Sequence, residues 1–174
     1  MPVWNFEPGH TSATFAVRHM MVTIVRGHFK NLSGAVKFDP GDPASGSVEV
    51  TVDAASFSTE EPERDAHLRS ADFFDAANHP TIKFKTTGVE ICGYNKFKLT
   101  GDLTIRGVTR PVTLDGEFLG PVDTPFNNTR MGFLATTRIR REDFGVNWNA
   151  PMPGGGYVVA SEVEITIDVE AIRA

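Results

Sequence analysis

Apolar residues recur at every second position along most of this chain. In FKLTGDLTIRG, Phe97, Leu99, Leu103 and Ile105 fall on one side, while Lys96, Lys98, Asp102 and Arg106 fall on the other. EVEITIDVE sets Val163, Ile165, Ile167 and Val169 against Glu162, Glu164, Thr166 and Asp168. Shorter runs agree: Ala13/Phe15/Val17, Val36/Phe38, Val48/Val50/Val52, Ile82/Phe84, Val112/Leu114/Phe118 and Met131/Phe133/Ala135/Ile139. A period of two predicts strands with one buried and one wetted face. Turn chemistry separates the runs, in DPGDPASGS, GVTRP, GPVDTPFNN and NAPMPGGG. About eight antiparallel strands follow. With no tandem repeat and no linker, residues 1–174 read as a single domain.

One segment departs from the pattern. PERDAHLRSADFFDAA is rich in Ala and free of β-branched residues. Pro62 suits a helix start, and Glu63 and Asp65 would complement the N-terminal dipole, so a short helix or 3₁₀ segment is expected there. Eight strands with one apolar face form either a sandwich or a barrel. Runs of ten or more residues joined by modest turns favour an up-and-down barrel, whose closure removes exposed edges. Such an interior is either just filled or just wide enough for one small ligand. Small residues on the inward row (Ala13, Gly101, Gly116, Ala135 and Thr137) hint at space.

Several stretches together carry a resemblance: HTSATFAVRHM, GHF at 27–29, SFSTEEPERDAHLRSADFFDAANHPTIKF, LTGDLTIRGVTRPVTL and REDFG. In this order they resemble the YceI-like family, the lipocalin-like polyisoprenoid-binding proteins of bacteria. The resemblance implies an all-β fold, an extended eight-stranded antiparallel barrel with one or two short helices. It also implies an elongated apolar tunnel that takes a polyisoprenoid, an isoprenoid quinone or another slim amphiphile. Phe15, Val17, Phe38, Val50, Phe84, Leu99, Leu103, Leu114, Phe133 and Ile165 are then placed on the tunnel wall. The expected activity is non-catalytic binding, transport or sequestration, with the bound lipid as ligand and no cofactor.

Composition narrows the partners. The net charge of −5 and scattered basic residues argue against nucleic acid. The longest uninterrupted apolar run, Tyr157 to Ala160, is far too short for a membrane span, so no stable membrane insertion is expected. The N-terminus has neither a basic nor an apolar leader region, so the chain reads as cytoplasmic. The sequence leaves a homodimer open. Cys92 stands alone, which excludes an internal disulfide.

The cluster RDAHLRSADFF invites a chemical reading. Asp65 and His67 could form an acid/base pair, and an isomerase or cyclase acting on a lipophilic substrate inside the barrel is the alternative function. No nucleophile elbow or triad context supports turnover. The simpler reading has Arg64, Asp65 and His67 bonding to one another and to strand ends, with Leu68, Phe73 and Phe74 roofing the barrel. His19 shares a face with Phe15 and Val17, so it points inward, where its imidazole could donate to a phosphate or quinone oxygen. Arg141 opens REDFG at a strand end and could meet a phosphate through its fork. Trp148, in FGVNWNAPMPGGG, could belong to a lid. His19, Arg64, Asp65, His67, Arg141 and Trp148 are therefore the candidate mouth or head-group residues. The five histidines show no metal-ligand spacing, and no metal site is expected.

Overall fold

The alternating runs become strands because only an extended backbone puts all their apolar side chains on one surface. The computed structural model covers residues 1–174 and contains eleven strand segments. These are β1 (Val3–Phe6), β2 (Ser12–His19), β3 (Thr23–Phe29), β4 (Leu32–Lys37), β5 (Ser47–Asp53) and β6 (Phe57–Ser58). After the helix α1 (Pro62–Arg69) come β7 (Thr81–Ile91), β8 (Lys96–Ile105), β9 (Val108–Asp123), β10 (Thr129–Arg140) and β11 (Val159–Arg173). Short 3₁₀ turns occupy Pro8–His10, Pro43–Ser45 and Arg141–Phe144.

The eleven segments make eight barrel strands. One edge of β11 pairs with β2 from Val163↔Val17 to Asp168↔Ser12, then with β1 from Phe6↔Ala171 to Trp4↔Arg173. Thus β1 and β2 are one long strand broken at Pro8, which has no N–H to give a ladder. Likewise β3 pairs with β2 and β4 with β1, and β6 continues the path of β5 to pair with His28 and Phe29. The ring closes as β1/β2, β3/β4, β5/β6, β7, β8, β9, β10 and β11, every neighbour antiparallel. This is a closed eight-stranded antiparallel barrel with meander order. The sequence counted eight strands correctly but could not see the breaks within them.

The upper end, where β2 finishes and β11 begins, carries α1 and the Arg141–Phe144 turn. Pro62 opens α1, and Glu63 and Asp65 lie in its first turn. Arginines hold this cap down by donating to backbone carbonyls. Arg69 bonds Ala55 O and Phe57 O, both at 3.0 Å, with its guanidinium 4.9 Å above the Phe57 ring. Arg106 donates to Ala71 O and Phe73 O, and Arg110 to Asp143 O. No helix is long and apolar enough to cross a membrane.

Aromatic rings gather in two groups. Phe15, Phe29, Phe57 and Phe74 meet with centroids 5.3–6.2 Å apart towards the upper end. Phe38, Phe118, Phe133 and Phe97 form a second group towards the lower end, at 5.0–6.5 Å. Members of both groups line a single cavity.

Candidate functional site

Whether an eight-stranded barrel is solid or hollow depends on where its large side chains lie. Three rings here lie flat over glycines instead of reaching across the lumen. Phe97 pairs with Gly116 across β8 and β9, and Phe15 with Gly27 across β2 and β3; a Cβ on either glycine would overlap the ring. Phe84 covers Gly101 in the same way. Gly101 and Gly116 therefore leave no gap of their own, contrary to the expectation that small inward residues open space. They let phenyl rings fold back against the wall, and the space appears on the axis. Gly116→Ala is expected to push Phe97 into the lumen and shorten the longest ligand accepted. A chain-length series of bound lipids measures this, and an unchanged series would contradict it.

The resulting cavity has a volume of about 290 Å³, close to the lower end of the roughly 300–1,000 Å³ common for small-molecule sites. All eight barrel strands contribute to it, and 34 of its 44 lining residues are hydrophobic. All ten residues placed on the wall by the alternation lie among them. The polar members are few: Arg18, His19, Arg64, Lys83 and Arg141 supply every ionisable group, and no Asp or Glu lines the space. Along Thr23–Gly27 the edge of β3 away from β2 has no strand partner, since β6 reaches only His28 and Phe29. Val25, with Arg64 and Leu68 of α1, borders the cavity beside this gap.

The six candidate mouth residues divide. His19, Arg64 and Arg141 line the cavity, whereas Asp65, His67 and Trp148 do not. The Asp65 carboxylate turns to Thr59 and accepts from both its backbone N–H and its hydroxyl. Arg64 grips the same residue, Nε to Thr59 Oγ1 and Nη2 to Thr59 O, both at 2.8 Å. His67 Nε2 instead meets Asp72 Oδ2 at 2.8 Å. Its ring sits edge-on to Trp148 (4.8 Å) and Phe73 (5.0 Å). Asp65 and His67 are thus not bonded to each other; each is held by a different neighbour. Asp65 and Arg64 brace the entry to α1, while His67 and Trp148 join the cap to the loop after β10.

Arg141 also differs from its expected role. It is 5% exposed, and its fork is filled by backbone: Nε to Ala160 O, Nη1 to Val146 O and Trp148 O, and Nη2 to Val159 O, all within 2.8–3.2 Å. Four of its five N–H groups are occupied, so it clasps the 146–160 segment and cannot fork a phosphate. Asn149 adds to the clasp, donating to Val159 O and accepting from Val159 N. Burial lowers the Arg141 pKa, opposed by the Glu142 carboxylate. No motif marks Thr59 or these carbonyl acceptors in the sequence, because backbone oxygens carry no residue signature.

Glu142 accepts a 2.7 Å bond from the Ser161 hydroxyl. Burial pushes its pKa up, but the Ser161 bond, a backbone bond and the charges of Arg141 and Arg140 outweigh that, leaving it below the ordinary 4.5. A carboxylate with a lowered folded pKa stabilises the fold above its unfolded pKa and loses that contribution as pH falls through the folded value. Wild type should therefore be more thermostable than Glu142→Gln at pH 7, with the gap closing below about pH 4.5. A gap independent of pH in thermal melts would refute this.

Comparison with known proteins agrees with the geometry. Residues 4–171 match the family model of the YceI-like domain. Protein YceI of Escherichia coli O157:H7 is 36% identical over 167 residues, covering 96% of this chain and 84% of that one. The crystal structure of Burkholderia cenocepacia BcnA superposes with a TM-score of 0.84 at 27% identity, over 95% of this chain and 98% of that one. A polyisoprenoid-binding domain from Saccharophagus degradans, implicated in plant cell wall breakdown, shares the fold (TM-score 0.69, 12% identity, 99% and 98% covered). A closed eight-stranded barrel around an apolar cavity, with a family match over nearly its whole length, leaves one assignment: the chain belongs to the YceI-like family.

Proposed function

We propose that this protein is a non-catalytic carrier or sequestering protein for a slim amphiphile, a polyisoprenoid or a lipid of similar shape, held by its hydrocarbon chain inside the barrel. The observation that carries this reading is the cavity itself, apolar on all eight strands and free of carboxylates. Each CH₂ removed from water contributes about 0.8 kcal/mol, so one five-carbon prenyl unit is worth roughly 3–4 kcal/mol before ordering costs. Affinity then comes from chain length, and the head group selects weakly. The polar end should be neutral or anionic, since the only charged groups bordering the cavity are basic. The name of the Saccharophagus neighbour, a polyisoprenoid-binding domain, is consistent with such a ligand.

Titration with prenols of increasing length tests this. Affinity should rise by at least about tenfold per added prenyl unit until the cavity is full, then level off. Flat affinity across the series would overturn the reading. Mass analysis of the same mixtures addresses the isomerase or cyclase alternative, because a carrier returns each prenol chemically unchanged.

A further inference from the structure

The β2–β3 hairpin ends in three consecutive exposed apolar residues, Met20, Met21 and Val22, at 43%, 64% and 79% exposure. Met20 and Met21 have φ of 49° and 64°, and Val22 N–H bonds His19 O at 3.2 Å. This is the tight hairpin geometry that normally selects Asn-Gly, because side chains rarely adopt positive φ. Two methionines in those positions are costly to the fold, and both side chains remain largely exposed. The strain points to a role outside the barrel.

The tip's position suggests the role. His19, directly before it, and its strand partner Val159 both line the cavity. Met20 N–H bonds Val158 O at 2.7 Å, Met21 rests on Gly156, and Tyr157 beside them is exposed. The apolar knuckle therefore stands at the cavity's upper end.

Charge is an independent observation. The β2–β3 hairpin, residues 12–29, holds Arg18 and Arg26 and no Asp or Glu, so setting aside these two positive charges from a total of −5 leaves −7 on the rest of the chain. Arg18 and Arg26 flank the tip and form no salt bridge; the nearby β11 carboxylates Glu162 and Glu164 are engaged by Arg138 at 3.5 and 3.6 Å. A basic hairpin with an apolar tip, on an otherwise acidic protein, matches a surface that is negative outside and oily within.

We infer that the β2–β3 tip docks the barrel on an anionic lipid bilayer, with Met20, Met21 and Val22 entering the interface and Arg18 and Arg26 among the head groups. Docking presents the cavity's upper end to the bilayer from which a lipid would be drawn or to which it would be returned. The inference rests on the carrier reading for its purpose, but its test does not. Full-length protein is sedimented with phosphatidylcholine vesicles, with or without about 30 mol% phosphatidylglycerol. Binding should require the anionic lipid, weaken with added salt, and fall at least about tenfold in Met21→Asp/Val22→Asp. Arg26→Gln, outside both the tip turn and the cavity, should weaken it severalfold, so the inference stays testable if the double variant misfolds. Lack of binding, undiminished binding in either variant, or self-association through the tip in place of vesicle binding would overturn it. A protein that docks through the tip yet takes up no prenol upholds the docking and overturns the carrier reading.

Discussion

Leu103→Arg is expected to abolish copurification of the lipid proposed to fill the barrel. Leu103 lies on β8 opposite Phe84 of β7, is buried, and faces the cavity. A guanidinium there would stand in a space with no carboxylate to pair with it. An unpaired charge in apolar surroundings costs several kcal/mol, so the side chain draws in water or reaches for an end of the barrel. Either response removes the dry volume a hydrocarbon chain needs. The expected loss of affinity is at least about a hundredfold, or about 2.7 kcal/mol. Because such a charge also strains the fold, Ala135→Phe is the companion variant. Ala135 faces the same cavity beside Gly116, and a phenyl ring there fills the lumen without adding charge. Extraction and mass analysis read both variants. A folded Ala135→Phe that retains its full lipid content would refute the assignment of that row to the wall.

Arg141→Met has the largest expected effect on stability. Its aliphatic stem is replaced, but four carbonyls, of Val146, Trp148, Val159 and Ala160, lose their donor, and Glu142 loses its neighbouring cation. Removing one member of a buried charged network typically costs about 3–5 kcal/mol. Arg141→Lys should recover only part of this, since one ammonium cannot reproduce a planar fork. The loss should also be local, with amide hydrogen exchange rising first across residues 146–160. Denaturant titration gives the energy and exchange gives the location. A change under about 1 kcal/mol with unaltered exchange would mean the clasp is not structural.

The wall was legible in the sequence because a strand's facing needs only the period of two, and one placed residue fixes its strand as far as the next bulge, such as that at Thr86–Gly88, beyond which Val89 takes over from Phe84 in facing the cavity. The start of α1 was legible too, since Pro62 and the acids after it act within a single turn. The cap residues were not. Asp65 and His67 are close in sequence, which suggested a pair, yet their partners depend on how the chain turns after β6 and at Ser70. Thr59 became the hub of Arg64 and Asp65 only through that turn. The open lumen was inferred for an incomplete reason: Gly116 matters because the β8–β9 register sets it against Phe97, and register is a relation between strands that a single run cannot reveal. Met20 and Met21 were hidden for the opposite reason, as the hairpin turns tightly without the glycine or asparagine that would announce it.

The dependence of all this on a hollow, oil-lined barrel can be tested in one measurement. Native mass spectrometry of the freshly purified protein, followed by organic extraction, asks whether the barrel leaves the cell loaded. A loaded barrel shows adduct mass that extraction removes and identifies as a long-chain lipid, absent from Leu103→Arg. A protein that flies at its bare mass, yields nothing to solvent and remains empty after incubation with prenols would contradict it.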